Sequence, residues 1–530
     1  MARDHTMHRT SPGSAAPKPR LFPPALRAAV LAALFTAAFA VRMSHITDPP
    51  LDFHPTRQFH SIFLAQRLYR QFCPASAAHK PEFTAAQKPE GMIEPPVMEL
   101  IAVAGYRCAG GERLWIPRAV SSVLWLIGGV FLYPLSKRIS SPDAAIASVA
   151  LYLFLPFGIA ASRSFQPDPL MVMLLVASLW AVMKYHDAPS QAQWVLAAAI
   201  SGAALFAKPV ALFPIAGAYA GLELSRRGVR RGAMLLPVTS FTVVILAPSI
   251  LYYAWGKWTG LIPPGTEAGR FLPHIVFQRS FWERWRSLVI LVFGSALLLV
   301  ALAGLAAGLR RGGPARGLLA GAWLGYLLYC TTFSYHTSTH DYYHLPLIPI
   351  VALSLAPLAD LLIRAACRAG LLRFIAVAWT AALAFGVFHG IRVGRHLYIR
   401  PGSERVIRIA REIGKAVTHS QKTIFLAEAY GQPLIYYGEF DGRWWPATGD
   451  LWADSLRGVP PTDIRERLQR MESDSPADYF IVTWMDNFDA QPDLTRFLTK
   501  NFPLLVKTDE YLIFDLRNSG GPKDRQRPAG

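Results

Sequence analysis

The chain has 530 residues, of which 52% are hydrophobic and 17% charged, with a formal net charge of +19 and a mean hydropathy of +0.26. That composition is too apolar for an ordinary soluble enzyme. The positive charge does not indicate nucleic acid, because the arginines cluster in short loops between apolar blocks of roughly 16–24 residues, about the length of a membrane-crossing helix.

Residues 1–23 carry basic residues, Ser and Pro, and read as a disordered cytoplasmic tail. Apolar segments then predict eleven helical spans: 24–44, 116–136, 143–161, 167–185, 192–207, 209–224, 233–254, 287–309, 315–333, 343–363 and 372–394. The first contains "AFA", which resembles a cleavage site, but the many spans that follow favour an uncleaved first helix. Lys208-Pro209 makes 192–224 either two short helices joined by a tight turn or one long or re-entrant segment. Residues 94–110, "EPPVMELIAVAGYRCAG", are apolar enough for a further short span. A crossing there would send "SKR" (136–138), "SRRGVRR" (225–231), "RRGGPAR" (310–316) and "RAACRAGLLR" (364–373) to the outside, against the positive-inside tendency. An amphipathic helix lying on the membrane surface keeps all four loops cytoplasmic.

The first large loop (45–115), the turns at 162–166 and near 208, the segments 255–286 and 334–342, and everything after 395 are then external. Asp52, Glu94, Asp168, His340 and Asp341 all fall on that face, and polar groups near lipid commonly mark function. Cys73 and Cys108 share the first loop, where a disulfide and two free thiols are both open; the four cysteines have no metal-site spacing. Beyond 396, apolar runs at strand spacing alternate with helical patterns, which predicts a small external α/β domain of about 120 residues over 396–517. Within it, "QPLIYYGEF" (432–440) reads as either strand or short helix, and "GRWWPATGDLW" (442–452) is aromatic enough for sugar stacking or for loop packing. Residues 518–530 read as a disordered tail. The predicted fold is mainly α: a polytopic transmembrane domain over 24–395, followed by that α/β domain.

One ordered set of motifs is more specific: "DFHPTRQ" after the first span, "EPPVMEL", "IPRAVSSVLWLIGG", "ASRSFQPDPLMVMLL" and "STHDYYHLPLIPIVAL". This order resembles the GT-C class of membrane glycosyltransferases, closest in appearance to family 39 and its bacterial relatives, the protein O-mannosyltransferases and lipid A aminoarabinose transferases. The resemblance covers roughly residues 24–395. It implies a sugar donor carried on polyprenyl phosphate at the outer leaflet and direct displacement with inversion. The acceptor is expected to be a lipid, a glycan or a protein, and the Ala/Arg-rich composition points to a bacterial inner membrane. An acidic residue in the first external loop is essential in the family, and by position that role falls to Asp52, as proton acceptor from the attacking hydroxyl. Glu94 matches a second polar position, for acceptor or metal, and could equally cap its helix. The leaving lipid phosphate needs positive charge, for which Arg57, Arg163, Lys208 and Arg270 are candidates. His340, Asp341, Tyr342 and Tyr343 crowd one external mouth as candidate substrate contacts.

Plainer readings stand beside these. Asp52 could cap the helix beginning near 54, Arg57 could anchor to headgroups, and Asp168 at the start of a span could serve the helix dipole. Many relatives have two adjacent acids where this chain has Asp52 and Phe53, so a paired-carboxylate mechanism is not expected unless Glu94 folds back. No cofactor is certain; a divalent metal is the one candidate. His336 and His340 have metal spacing only if helical. A transporter or lipid flippase, or an inactive relative acting as a binding scaffold, are the alternatives, though no half-to-half repeat is visible.

Overall fold

Apolar helices that alternate in direction around short basic turns must bundle, because their backbone polar groups are satisfied only within the helix. In a computed structural model, which describes residues 21–73, 94–228, 231–262 and 271–518, that bundle is the bulk of the chain. Helix α1 (Pro24–Met43) leads to α2 (Pro55–Phe72) and α3 (Val97–Cys108), which lie at the end of the bundle that α1 reaches. The chain then runs back and forth through α4 (Trp115–Ile139), α5 (Pro142–Phe154) with its continuation α6 (Pro156–Ala161), α7 (Asp168–Asp187), α8 (Gln191–Ala207), α9 (Leu212–Arg227) and α10 (Arg231–Trp258). Next come α11 (Arg279–Phe293), α12 (Ser295–Arg311), α13 (Gly313–Thr332), α14 (Ser334–Thr339), α15 (Leu347–Arg368) and α16 (Leu372–Tyr398). Six stretches, in α1, α4, α7, α10, α15 and α16, are long and apolar enough to cross a membrane on those grounds alone. Helices α5 and α8 are apolar but shorter, and α11 with α12 pass the same test only as a bent pair. The chain is a multi-pass membrane protein.

The two ends differ in charge. One gathers the basic turns, where Arg27 pairs with Asp143 at 3.0 Å, Arg138 with Asp187 at 2.8 Å and Arg364 with Asp360 at 2.9 Å. The other carries α2, α3, α11, α14 and the C-terminal sheet. Helix α3 has 12 residues, about 18 Å of rise, too short to cross. It buries Met98, Glu99, Ala102, Val103 and Tyr106 on one face.

Two expected spans differ in the structure. Residues 287–309 are not one helix: α11 and α12 meet at Gly294 with a 93° bend. Gly294 has φ +76°, open to glycine and strained for other residues. The first half of α11, "RSFWERWRS", carries four charges that would otherwise enter the bilayer. Residues 143–161 are interrupted at Leu155, where Pro156 starts α6. The 192–224 stretch is two helices joined by a turn over Pro209–Ala211. All four cysteines are free thiols. The tails expected to be disordered lie outside the described residues, apart from 21–23 and 518.

The tightest helix pair is α9 against α13. A Cβ at Gly321 would sit 2.0 Å from the Gly217 carbonyl oxygen, and one at Gly217 would sit 2.2 Å from that of Gly321. Small residues let these backbones touch, which is how apolar helices associate without a hydrophobic driving force. Gly321→Leu therefore forces the helices apart. It should cost about 1–3 kcal/mol or more, read as a lower thermal midpoint in detergent.

The C-terminal part begins with α17 (Ser403–Ala416) and holds a five-stranded sheet. Strands β1 (Thr423–Leu426), β2 (Gly442–Trp444), β3 (Tyr479–Val482), β4 (Leu504–Lys507) and β5 (Leu512–Asp515) take the order β2-β1-β3-β5-β4. Strands β1, β2 and β3 are mutually parallel, while β5 is antiparallel to β3 and β4. The central strands β1, β3 and β5 are fully buried apolar runs; the edges β2 and β4 are largely exposed and gave no strand signal in the sequence. The run after Gly431 is helix α18 (Gln432–Gly438). It docks on α2: Tyr436 stacks edge-on against Phe59 at 5.4 Å and donates its hydroxyl to Glu112 at 3.1 Å.

Candidate active site

The segment between α1 and α2 is fixed by two side chains reaching in from elsewhere. Gln58 donates to Asp52 Oδ1 and to the Phe53 carbonyl, both at 2.9 Å, and accepts from the Phe165 amide at 3.1 Å. Arg118, in the first turn of α4, donates Nη2 to Asp52 Oδ2 at 2.6 Å and Nη1 to the carbonyls of Ile46 and Asp48 at 3.1 and 2.6 Å. The Asp52 side chain is 3% exposed and that of Arg118 1%. Each Asp52 oxygen accepts one of these bonds and keeps a lone pair. Asp52 does not cap α2, whose N-cap is His54, at φ 47° and without a side-chain cap bond. It closes a buried ion pair with Arg118 that would be costly to break.

Beside this lock lies an alternating charge cluster. Arg57 donates Nη2 to both Glu94 oxygens, at 3.1 and 2.8 Å. Lys208, in the turn between α8 and α9, donates Nζ to both Asp168 oxygens at 2.8 and 3.0 Å and lies 3.9 Å from Glu94. Tyr342 and Tyr343 cover the ammonium, their ring centroids 5.3 and 5.2 Å from Nζ. Burial works to raise the Glu94 pKa, but the Arg57 and Lys208 charges outweigh it and hold the carboxyl at about 2. A depressed acid stabilises the fold fully above its ordinary pKa and loses that contribution only as pH falls through the folded value. The Arg57–Glu94 pair is therefore constant across neutral and mildly acidic pH.

The third group is His54 with Asp341, Nε2 to Oδ1 at 2.6 Å, with side chains 29% and 22% exposed. An ionised carboxylate only accepts, so Nε2 carries the proton and Nδ1 is the basic nitrogen. Tyr342 bridges this pair and the charge cluster, its ring 4.7 Å from the His54 ring. His340 adjoins both tyrosines, at 5.6 and 5.8 Å between centroids, with Nδ1 2.7 Å from the Thr339 hydroxyl. Burial first, then the neighbouring His54, push its imidazole down to about 4, so it is neutral at physiological pH.

Six of the expected residues thus come together: Arg57, Glu94, Lys208, Asp341, Tyr342 and Tyr343, with His340 at the rim. Arg163 does not join them. It is fully buried, donates to the carbonyls of Val41, Ser44 and His45 at 3.3, 2.6 and 3.1 Å, and lies 3.9 Å over the Tyr398 ring. It clamps the end of α1, and its buried Nε has no partner among the described residues. Arg270 lies outside the described residues. Asp168, which the sequence favoured as a helix-dipole partner, is a cluster member, and His54 and Arg118 had no assigned role. Arg118 had a signal: an arginine at the external end of a span runs against the positive-inside tendency and calls for a buried partner.

A divalent metal finds no fit. The carboxylates of Asp52, Glu94 and Asp168 are each engaged by a cation, and among the described residues no group of three His, Cys, Asp or Glu is arranged to hold an ion. His336 and His340 stack at 6.0 Å, and among the described residues no third His, Cys, Asp or Glu groups with them to hold an ion.

Residues 93–253 match the family described as dolichyl-phosphate-mannose-protein mannosyltransferase. No curated protein matches the chain. Among solved structures, ArnT from Cupriavidus metallidurans bound to undecaprenyl phosphate aligns at TM-score 0.56 and 15% identity, covering 92% of this chain and 97% of that one. This is a GT-C fold. The archaeal oligosaccharyltransferase AglB from Archaeoglobus fulgidus, in complex with an inhibitory peptide and a dolichol-phosphate, aligns at TM-score 0.56 and 11% identity over 90% of this chain and 72% of its own. At these identities the GT-C likeness carries the architecture, and the chemistry rests on the side chains described above.

Proposed function

We propose that the chain is a membrane glycosyltransferase that moves a sugar from a polyprenyl-phosphate donor to an acceptor hydroxyl at the outer face of a bacterial inner membrane. The observation that carries this reading is the Arg57–Glu94–Lys208–Asp168 cluster. Two cations are held at the bundle end opposite the basic turns, roofed by tyrosines and open beside a histidine–aspartate pair. ArnT with undecaprenyl phosphate and AglB with dolichol-phosphate support the lipid-phosphate donor.

In this reaction the acceptor oxygen attacks the anomeric carbon, the bond from that carbon to the phosphate oxygen breaks, and the lipid phosphate leaves with the electron pair. Lys208 and Arg57 stabilise the charge that develops on it, in a site where burial strengthens each interaction. The acceptor proton goes to His54 Nδ1, with Asp341 stabilising the imidazolium. Tyr342 separates base from cations, with its ring 4.7 Å from His54 on one side and 5.3 Å from Lys208 on the other. Direct displacement in line, with the attacking oxygen opposite the leaving phosphate oxygen, inverts the anomeric centre.

The direct test is titration of the purified protein with undecaprenyl phosphate. Saturable binding that Lys208→Met weakens at least about tenfold supports the donor assignment; binding equal in both proteins contradicts it. Orientation is tested separately. Cysteines placed at Gly228 and Gly313 should label only from the cytoplasm, and one at Asp450 only from outside. Labelling of position 450 from inside would put the cluster on the wrong face.

A further inference from the structure

A cleft of about 840 Å³ lies at the junction of the helical bundle and the C-terminal sheet, within the size range that encloses a small organic ligand. Arg284 of α11, with Tyr335 and Thr339 of α14, forms one wall; Tyr430, Asp450 and Trp452 form the other. The cleft lies beside the charge cluster, sharing no lining residue with it. Thr56 lines it and precedes Arg57 in α2, and the hydroxyl of Thr339 touches His340 at 2.7 Å.

The wall from the C-terminal part is built and held open. Tyr430 is 41% exposed, Trp444 behind it 55% and Trp452 40%, an unusual concentration of large uncovered rings. They are fixed in place: Tyr430 donates its hydroxyl to Asp450 at 2.9 Å and meets Trp444 edge-on at 5.5 Å, and the Arg284 guanidinium lies 5.2 Å over Trp452. Ala429 and Tyr430, both lining residues or next to one, are consecutive non-glycine residues in the left-handed region, at φ 50° and 53°. Strain of this kind persists where the surroundings enforce it and clusters at ligand sites. Arg284 also has a buried Nε without a hydrogen-bond partner among the described residues.

We infer that this cleft is the acceptor subsite and that it takes a saccharide, so the acceptor hydroxyl belongs to a glycan. The inference rests on the transferase reading above. Ring faces offer apolar platforms for the C–H faces of a pyranose, while Arg284, Asp450 and Asn487 supply the donors and acceptors that hydroxyl groups need. A lipid tail would require an unbroken apolar wall, which Glu283, Arg284 and Asp450 interrupt. The sugar end that enters furthest reaches Thr56 and Thr339, beside His54 and Arg57.

The test uses the full-length protein in nanodiscs and two probes: the delipidated oligosaccharide fraction released by mild acid from the envelope of the producing cell, and a tryptic peptide pool from its exported proteins. Tryptophan fluorescence should quench saturably with the oligosaccharides. Trp452→Ala should weaken that binding about tenfold or more, and Trp452→Phe, which keeps a ring, should retain most of it. Arg284→Gln gives an independent loss should Trp452→Ala fail to fold. Quenching by peptides alone, no saturable quenching, or equal affinity in wild type, Trp452→Ala and Arg284→Gln overturns the saccharide assignment. Failure of the donor reading shows separately, as undecaprenyl-phosphate binding that ignores Lys208→Met.

Discussion

Lys208→Met lowers sugar transfer by about a hundred- to a thousandfold, the loss expected when one preorganised group that stabilises developing charge is removed. Lys208 lies within ion-pair distance of both acids of the cluster, at 2.8 Å from Asp168 and 3.9 Å from Glu94. The substitution also strands Asp168, 1% exposed, as a buried unpaired carboxylate, which destabilises by about 3–5 kcal/mol. The double variant Lys208→Met with Asp168→Asn separates the two effects. Its thermal midpoint returns toward wild type while transfer stays low. Recovery of transfer along with stability would mean that Lys208 only supports the fold.

His54→Ala or Asp341→Asn lowers kcat by about a hundred- to ten-thousandfold, the range for loss of general base catalysis. Both side chains are partly exposed, so stability should change little. Asp52→Asn should behave in the opposite way. It leaves Arg118 buried and unpaired, with a loss of about 3–5 kcal/mol in stability, while the transfer rate per folded molecule stays near wild type. A large kcat loss in Asp52→Asn at unchanged stability, with His54→Ala active, would return the proton-accepting role to Asp52.

The helices were legible because hydropathy and arginine placement both follow from the membrane. Arginines from three of the basic turns, Arg138, Arg311 and Arg364, pair with Asp187 and Asp360. Residues 97–108 form a helix too short to cross a bilayer. What was not legible is what depends on distant partners. The 93° bend at Gly294 arises where a charged amphipathic half joins an apolar one, and a window average blurs that junction. The edge strands β2 and β4 lack the buried apolar run that marks β1, β3 and β5. In the site, residue types were readable and pairings were not. The Asp52–Arg118 pair spans 66 residues and the His54–Asp341 pair 287, so neither shows in a local motif. Nothing in "ASRSF" reveals that Arg163 Nη1 and Nη2 reach the carbonyls closing α1.

The most direct measurement of the central claim is mass spectrometry of membrane lipids and envelope glycans from cells with and without this protein, and with Lys208→Met in its place. Loss of the protein, or of Lys208, should accumulate one sugar-linked polyprenyl phosphate and remove the same sugar from one envelope acceptor. Identical polyprenyl-phosphate sugars and identical acceptors in all three strains would contradict a lipid-phosphate sugar transferase.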